Sequence, residues 1–263
     1  MLTAGLAADD PRLHDFRDLT DADVRPDRRG IVIAEGVNVV ERLLRSADYR
    51  PRAIVGVPGK LAALAPALAG LQLPVYELDK WTLSELVGFR VTRGVLASAD
   101  RPVERDPVEL IAAGRRLVVL EAINDFENLG SIFRNCAAFG VDGVLLDPRC
   151  ADPLYRRSVR VSMGNVFGVP FARLPQPWPA ALELLPEHGV EVLALTPRPQ
   201  APALATLAPP ARWAVLLGAE GPGLSEAALA HVRHWVRIPM APGVDSVNVA
   251  TAGAIALAHL TAQ

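Results

Sequence analysis

The sequence predicts an α/β protein, with a largely parallel sheet over its C-terminal part and a smaller three-layer α/β sandwich before it. Three observations carry this expectation. Short apolar runs suited to buried strands alternate with stretches of helical spacing along the 263 residues. Residues 101–109, RPVERDPVE, set Pro102 and Pro107 among charges and read as a linker between two blocks. A composition 51% hydrophobic and 21% charged supplies apolar side chains for sizeable cores and excludes a disordered chain. The expected organisation is an extension over 1–25, a first domain over 26–100, the linker, and a second domain over 110–263.

In the first domain, IVIAEGVNVVERLLRS carries an apolar strand to Glu35-Gly36 and then shifts to helical spacing at Val39, Val40, Leu43 and Leu44. AIVGV reads as a strand, LAALAPALAGL as a helix with Pro66 near its start, and PVYEL as a strand. TLSELVG, a helix, and GVLASA, a strand, complete a βαβαβαβ order. The second domain begins with RRLVVLEAI, a buried strand, followed by GSIFRNCAAFG as a helix closed by Gly140. GVLL, FARL, VEVLALT, WAVLLG and HWVRIPM are further strands. Helices are expected around 155–162, 179–188, 225–231 and 247–262. Helical segments of this length between strands imply right-handed crossovers and parallel pairing.

Charge nearly cancels, 27 Lys+Arg against 29 Asp+Glu, which excludes a polybasic carrier but not a nucleic-acid partner. Lys60 and Lys80 are the only lysines, so cationic contacts use the forked guanidinium of arginine. Cys136 and Cys150 give neither a disulfide framework nor metal-ligand spacing, and no metal is expected. MLTAGLAADDPR lacks the basic start of a secretory signal, and no apolar run reaches membrane-spanning length. A cytoplasmic protein without membrane contact is the expectation.

Ligands of parallel sheets bind beyond the carboxyl ends of the strands, so the segments after each strand hold the candidate chemistry. After LVVLEAI come the turn formers Asn124, Asp125 and Asn128, then Gly130, then Arg134 among apolar neighbours, where a guanidinium needs an anion. After WAVLLG, Gly218, Gly221 and Gly223 with Pro222 form a loop of exposed amides around Glu220. That loop suits an adenosine or phosphate but is neither a dinucleotide nor a nucleotide-triphosphate fingerprint. After HWVRIPM, Asp245, Ser246 and Asn248 cap an otherwise apolar helix. Between these, Arg149, Arg156, Arg157 and Arg160 cluster around Tyr155, a combination suited to RNA phosphates and bases or simply to a solvated face.

Together these segments resemble the three motifs of the SpoU/TrmH family of RNA 2′-O-ribose methyltransferases, in the SPOUT class. The first motif matches Asn128-Leu129-Gly130 through Arg134, and the second matches Gly218-Ala219-Glu220-Gly221-Pro222-Gly223-Leu224-Ser225. The third matches Ile238-Pro239-Met240 and Ser246-Val247-Asn248-Val249, and Arg160-Val161-Ser162-Met163-Gly164 between the first two is also typical. Val247 stands where leucine is usual, and Ser131 and Asn135 replace the commoner residues. The resemblance covers about residues 110–263. Residues 28–99 look similar to the family's RNA substrate-binding domain.

The resemblance implies a deep trefoil knot in the C-terminal domain and a homodimer with sites at the subunit interface. It also implies S-adenosylmethionine held by Thr196, Gly218, Ile238, Met240 and Val247. Arg134, Asn128, Glu220, Ser246 and Asn248 are the expected catalytic set: Arg134 grips the target phosphate and polarises the 2′-OH, and the others orient it and the ribose. Arg149, Arg156, Arg157 and Arg160 are the expected RNA contacts. Structured ribosomal RNA is favoured as substrate over tRNA. Two other readings stay open, a tRNA enzyme and a non-catalytic RNA-binding or ribosome-assembly protein of the same fold. An ordinary Rossmann enzyme would need a Gly-rich turn after LVVLEAI, which is missing.

Overall fold

The computed structural model describes residues 2–21 and 30–262. The expected boundary between residues 25 and 26 lies outside them. The chain forms two compact units, the first of residues 1–103 and 154–168, the second of 104–153 and 169–263.

Among the described residues the N-terminal stretch of the first unit holds a five-stranded sheet and three α-helices. The elements are β1 (Leu2–Ala4), β2 (Ile31–Glu35), α1 (Val37–Arg45), β3 (Arg50–Gly56), α2 (Pro58–Leu68), β4 (Val75–Glu77), α3 (Lys80–Val87) and β5 (Val95–Asp100). Their order is β1-β4-β3-β5-β2, with β5 antiparallel to both neighbours and the other pairs parallel. Strand alternation sends Ile33, Val55 and Leu96 into a core with Leu13, Phe16, Leu83 and Leu86. The expected helix with Pro66 near its start instead begins at Pro58 and has Pro66 close to its end. Proline is favoured at the first helical position, where its missing N–H costs nothing, and that makes Pro58 the start.

Two segments join this unit against expectation. Residues 2–4 are not part of a separate extension, because β1 pairs with β4. Residues 154–168, expected inside the second domain, belong here through α6 (Arg156–Val161) and a following 3-10 turn. Arg156 donates to the buried Glu35 at 3.1 Å and lies 4.6 Å from the centre of the Phe89 ring. Ser46 Oγ donates to Phe167 O at 2.8 Å, Arg42 donates to Met163 O, and Phe167 packs edge-on to Tyr49. Gly164 has φ +77°, and a Cβ there would lie 3.1 Å from the Val39 Cα, so only glycine lets this segment sit against α1.

The second unit is a six-stranded, all-parallel sheet. α4 (Pro107–Ala113) leads to β6 (Arg116–Glu121), α5 (Phe126–Ala138) and β7 (Gly143–Leu146). After the excursion come β8 (Phe171–Arg173), α7 (Leu184–Glu187), β9 (Glu191–Leu195) and β10 (Trp213–Gly218). α8 (Glu226–Ala230), β11 (His234–Val236) and α9 (Val249–Thr261) complete it, and the strand order is β11-β9-β10-β6-β7-β8. The linker reading fails at residues 107–109: Asp106 accepts from Val108 N at 2.7 Å, Pro107 opens α4, and Leu110 and Ile111 enter the core. Helix α4, α7 and α8 residues pack with Leu117, Val119, Ala214 and Leu216 on one face. On the other face the buried side of α5 and α9 covers the sheet, with Gly253 against Leu217. No helix among the described residues is long and apolar enough to cross a membrane.

Candidate functional site

Strand order changes direction around β6 and β10, and this switch point lies where loops from both can part and leave a crevice. In parallel register Glu121 and Gly218, the last residues of β6 and β10, sit side by side. The loop after β10 folds back so closely that a Cβ on Gly218 would lie 2.3 Å from the Gly223 carbonyl carbon. Only a glycine fits there. The loop then enters α8, whose cap Ser225 accepts from Ala228 N.

Beside this loop is a cleft of about 420 Å³, within the range of small-molecule sites. Thr196, Gly218, Ile238, Met240 and Val247 line it, together with Glu220, Ser246 and Asn248. Leu195, Leu217 and Leu229 add apolar surface. An apolar slot edged by backbone amides and carbonyls suits a flat, neutral base such as adenine.

At the cleft the start of α5, the loop after β10 and the cap of α9 are tied together through amide side chains. Asn248 Nδ2 donates to Asn128 Oδ1 at 2.7 Å, and Asn128 Nδ2 donates to Glu220 Oε2 at 2.8 Å. Asn248 also caps α9, its Oδ1 accepting from Ala250 N and Thr251 N. Val247 therefore precedes the helix, which was expected to include it. Asn128 is not in a turn either: Asp125 is the cap of α5, accepting from Glu127 N and Asn128 N, so the helix starts four residues before Gly130.

Two expected catalytic residues stand outside this chain of bonds. Ser246 is an exposed lining residue without a side-chain hydrogen bond among the described residues. Arg134 is exposed on α5 and has no hydrogen bond or ion pair with a described residue. The expectation of an apolar setting for it is corrected. Its sequence neighbours Phe133 and Cys136 face the core, but residues one or two apart on a helix do not share a face.

The four clustered arginines are not one free surface. Arg149 belongs to the second unit and the other three to the first. Arg149 donates to Asp147 at 3.0 Å and to Glu121 at 3.1 Å, while Arg156 is held by Glu35. Arg157 is exposed and Arg160 half-buried on α6.

Glu121 is the functional neighbour that sequence reading missed. Only 2% exposed, it accepts from Trp178 Nε1 at 2.8 Å, Ser225 N at 2.9 Å and Ser225 Oγ at 2.7 Å as well as from Arg149. It thus pins the end of the glycine loop to β6. Asp147, fully buried, accepts from Ala122 N and Arg149 N, and its hydrogen bond to the Arg149 guanidinium raises that group's pKa above the usual arginine value. The available signal was an acid ending the apolar run RLVVLE.

Residues 115–258 match the SpoU rRNA Methylase family over more than half of the chain. The chain belongs to that family. A SpoU relative described as an uncharacterized tRNA/rRNA methyltransferase of Mycobacterium tuberculosis is 48% identical over 259 residues, covering 96% of this chain and 89% of that protein. The 23S rRNA (guanosine-2′-O-)-methyltransferase RlmB of Salmonella typhimurium is 27% identical, covering 87% of this chain and 97% of RlmB. Among solved structures, a putative RNA methyltransferase of the TrmH family from Porphyromonas gingivalis superposes with a TM-score of 0.79 at 25% identity, covering 95% of this chain and 96% of that one. As a SpoU protein the chain is an RNA methyltransferase, and its mostly parallel α/β architecture is the family's.

Proposed function

We propose that the protein transfers a methyl group from S-adenosylmethionine to a ribose 2′-OH of structured RNA, with ribosomal RNA the substrate. The observation that carries this is the bonded chain Asn248–Asn128–Glu220, which joins one residue from each of the three motifs. The RlmB relative, named for 2′-O-methylation of 23S rRNA, supports the substrate class.

Thr196, Gly218, Ile238, Met240 and Val247 would hold the adenosine, their apolar walls and backbone groups matching a neutral base and sugar. Bound there, the cofactor supplies a sulfonium methyl that is electrophilic without a metal. What the chain must then do is place the 2′-OH in line and assist loss of its proton. Asn128 has both ends of its amide occupied, which fixes Glu220; the second Glu220 oxygen has no partner among the described residues and can accept from a ribose hydroxyl. Arg134, exposed and uncommitted, grips the phosphate and polarises the 2′-OH; a guanidinium stays charged in water and is a poor base. Ser246 completes the rim. Arg157 and Arg160 contact RNA backbone from the first unit, which serves as the RNA substrate-binding domain.

The reading extends to a trefoil-knotted second unit and a homodimer. Ile255, 42% exposed on α9, and Val244 and Val247 before it are exposed apolar side chains that a second copy would cover.

The deciding experiment maps 2′-O-methylation across total RNA of a deletion strain, with the purified protein and radiolabelled S-adenosylmethionine restoring the lost site. Loss at one ribosomal nucleotide is expected. Loss confined to tRNA would move the substrate, and no loss anywhere would favour the non-catalytic alternative. Arg134→Lys should reduce turnover severely on the mapped RNA; near-normal turnover would sink the role given to Arg134.

A further inference from the structure

Among the described residues lining the cleft, Arg198 is the one cation. The charged residues beside it are Glu220, already bonded to Asn128, and Glu226. Arg198 lies in Pro197-Arg198-Pro199, where a ring on either side restricts the backbone, and its carbonyl accepts from Ala201 N at 3.0 Å. Its guanidinium stacks 5.2 Å from the centre of the Trp235 ring and is ion-paired with Glu226. Trp235 is itself held, its Nε1 donating to the carbonyls of Leu229 and Val232, both at 3.2 Å.

The two partners of this ion pair differ. The Arg198 side chain is 34% exposed and anchored on an aromatic face, whereas that of Glu226 is 80% exposed. An ion pair with one end in open water contributes little and is readily exchanged for another.

The ligand proposed for this cleft has a neutral adenosine end and a zwitterionic amino-acid end. The adenosine needs no cation. The α-carboxylate gains most from one, because hydrogen bonds between a guanidinium and a carboxylate are charge-assisted and can be bidentate. We infer that Arg198 receives the α-carboxylate of the cofactor's methionine tail, and that Glu226 turns from Arg198 to the α-ammonium. The internal ion pair is thereby replaced by two ion pairs with the tail. This assignment rests on the cofactor reading given under Proposed function.

Calorimetry on the intact protein separates the two. The probes are S-adenosylhomocysteine and 5′-methylthioadenosine, which shares the adenosine and the thioether but lacks the amino-acid end. Arg198→Met keeps an apolar stem over Trp235 and removes the charge. It should weaken S-adenosylhomocysteine roughly 10- to 100-fold and methylthioadenosine by no more than about twofold. Glu226→Gln should give the same selectivity with a smaller loss. Equal weakening of both ligands by Arg198→Met, or unchanged binding of S-adenosylhomocysteine, would overturn the assignment and leave the cofactor reading intact. If the unmodified protein binds neither ligand, the cofactor reading fails and this assignment with it.

Discussion

Two polar clusters stand beyond the carboxyl end of β6, and they differ in what their charges are free to do. One links Asn248, Asn128 and Glu220 at the cleft through neutral amides, leaving an exposed carboxylate oxygen open. The other gathers Glu121, Asp147, Arg149, Trp178 and Ser225, with both carboxylates buried and taken up by donors from several loops. Residue type does not distinguish them, since each contains glutamate and a partner of high hydrogen-bonding capacity. Saturation does: a carboxylate surrounded by protein donors holds loops together, and one with an oxygen to spare can meet a substrate.

The comparison is broken most directly at Asn128. Asn128→Ala should lower methyl transfer on the order of 100-fold or more by releasing Glu220, while shifting Tm by only a few degrees. Single-turnover assays beside thermal melts check this, and a large Tm loss with retained turnover would reverse the roles of the two clusters. The second expectation concerns Glu121→Ala, which strands the Trp178 and Ser225 donors and leaves Arg149 with Asp147 as its remaining carboxylate. It should cost about 3 kcal/mol, a Tm drop on the order of 10 °C, with S-adenosylhomocysteine still bound well below the new midpoint.

Gly218 joins the clusters, since the loop that it admits carries Glu220 at one end and Ser225 at the other. Gly218→Ala should cost about 1–3 kcal/mol and weaken S-adenosylhomocysteine in calorimetry, both effects appearing together. The smallest effect is on pH dependence. Burial, with the Asp147 carboxylate beside it, pushes the Cys150 thiol up to about 12. The raised value favours the folded state while the thiol is protonated in both states. That contribution is full below the unfolded thiol value near 8.5 and is lost as pH rises from there toward 12. Urea titrations against Cys150→Ala should show an extra fall of about 1 kcal/mol between pH 8.5 and 9.5.

The strands were legible because buried parallel strands are written as unbroken apolar runs, and RRLVVLE, GVLL and WAVLLG sit where such runs place them. The cleft was legible through its three motifs. Pairings across long chain separations were not. Arg156 reads as an RNA contact until Glu35, 121 residues away, is seen to hold it, and Arg149 likewise until Glu121 and Asp147 are. Arg134 was misread for a different reason, because neighbours in sequence are on different faces of a helix. Asp125 and Asp106 followed by helix-compatible residues were read as turns and linker, although each caps a helix.

The excursion of residues 154–168 bears on how the protein is made. The first unit lacks Val159, Val166 and Phe167 until the ribosome has synthesised residue 168, by which time β6, α5 and β7 have already been synthesised. Its completion therefore waits for a segment that follows β6, α5 and β7 in the chain, although it still comes before β8 to β11 and α9 have been made. A nascent chain halted near residue 105 would display the bare surface around Val39 and Tyr49 that this segment covers.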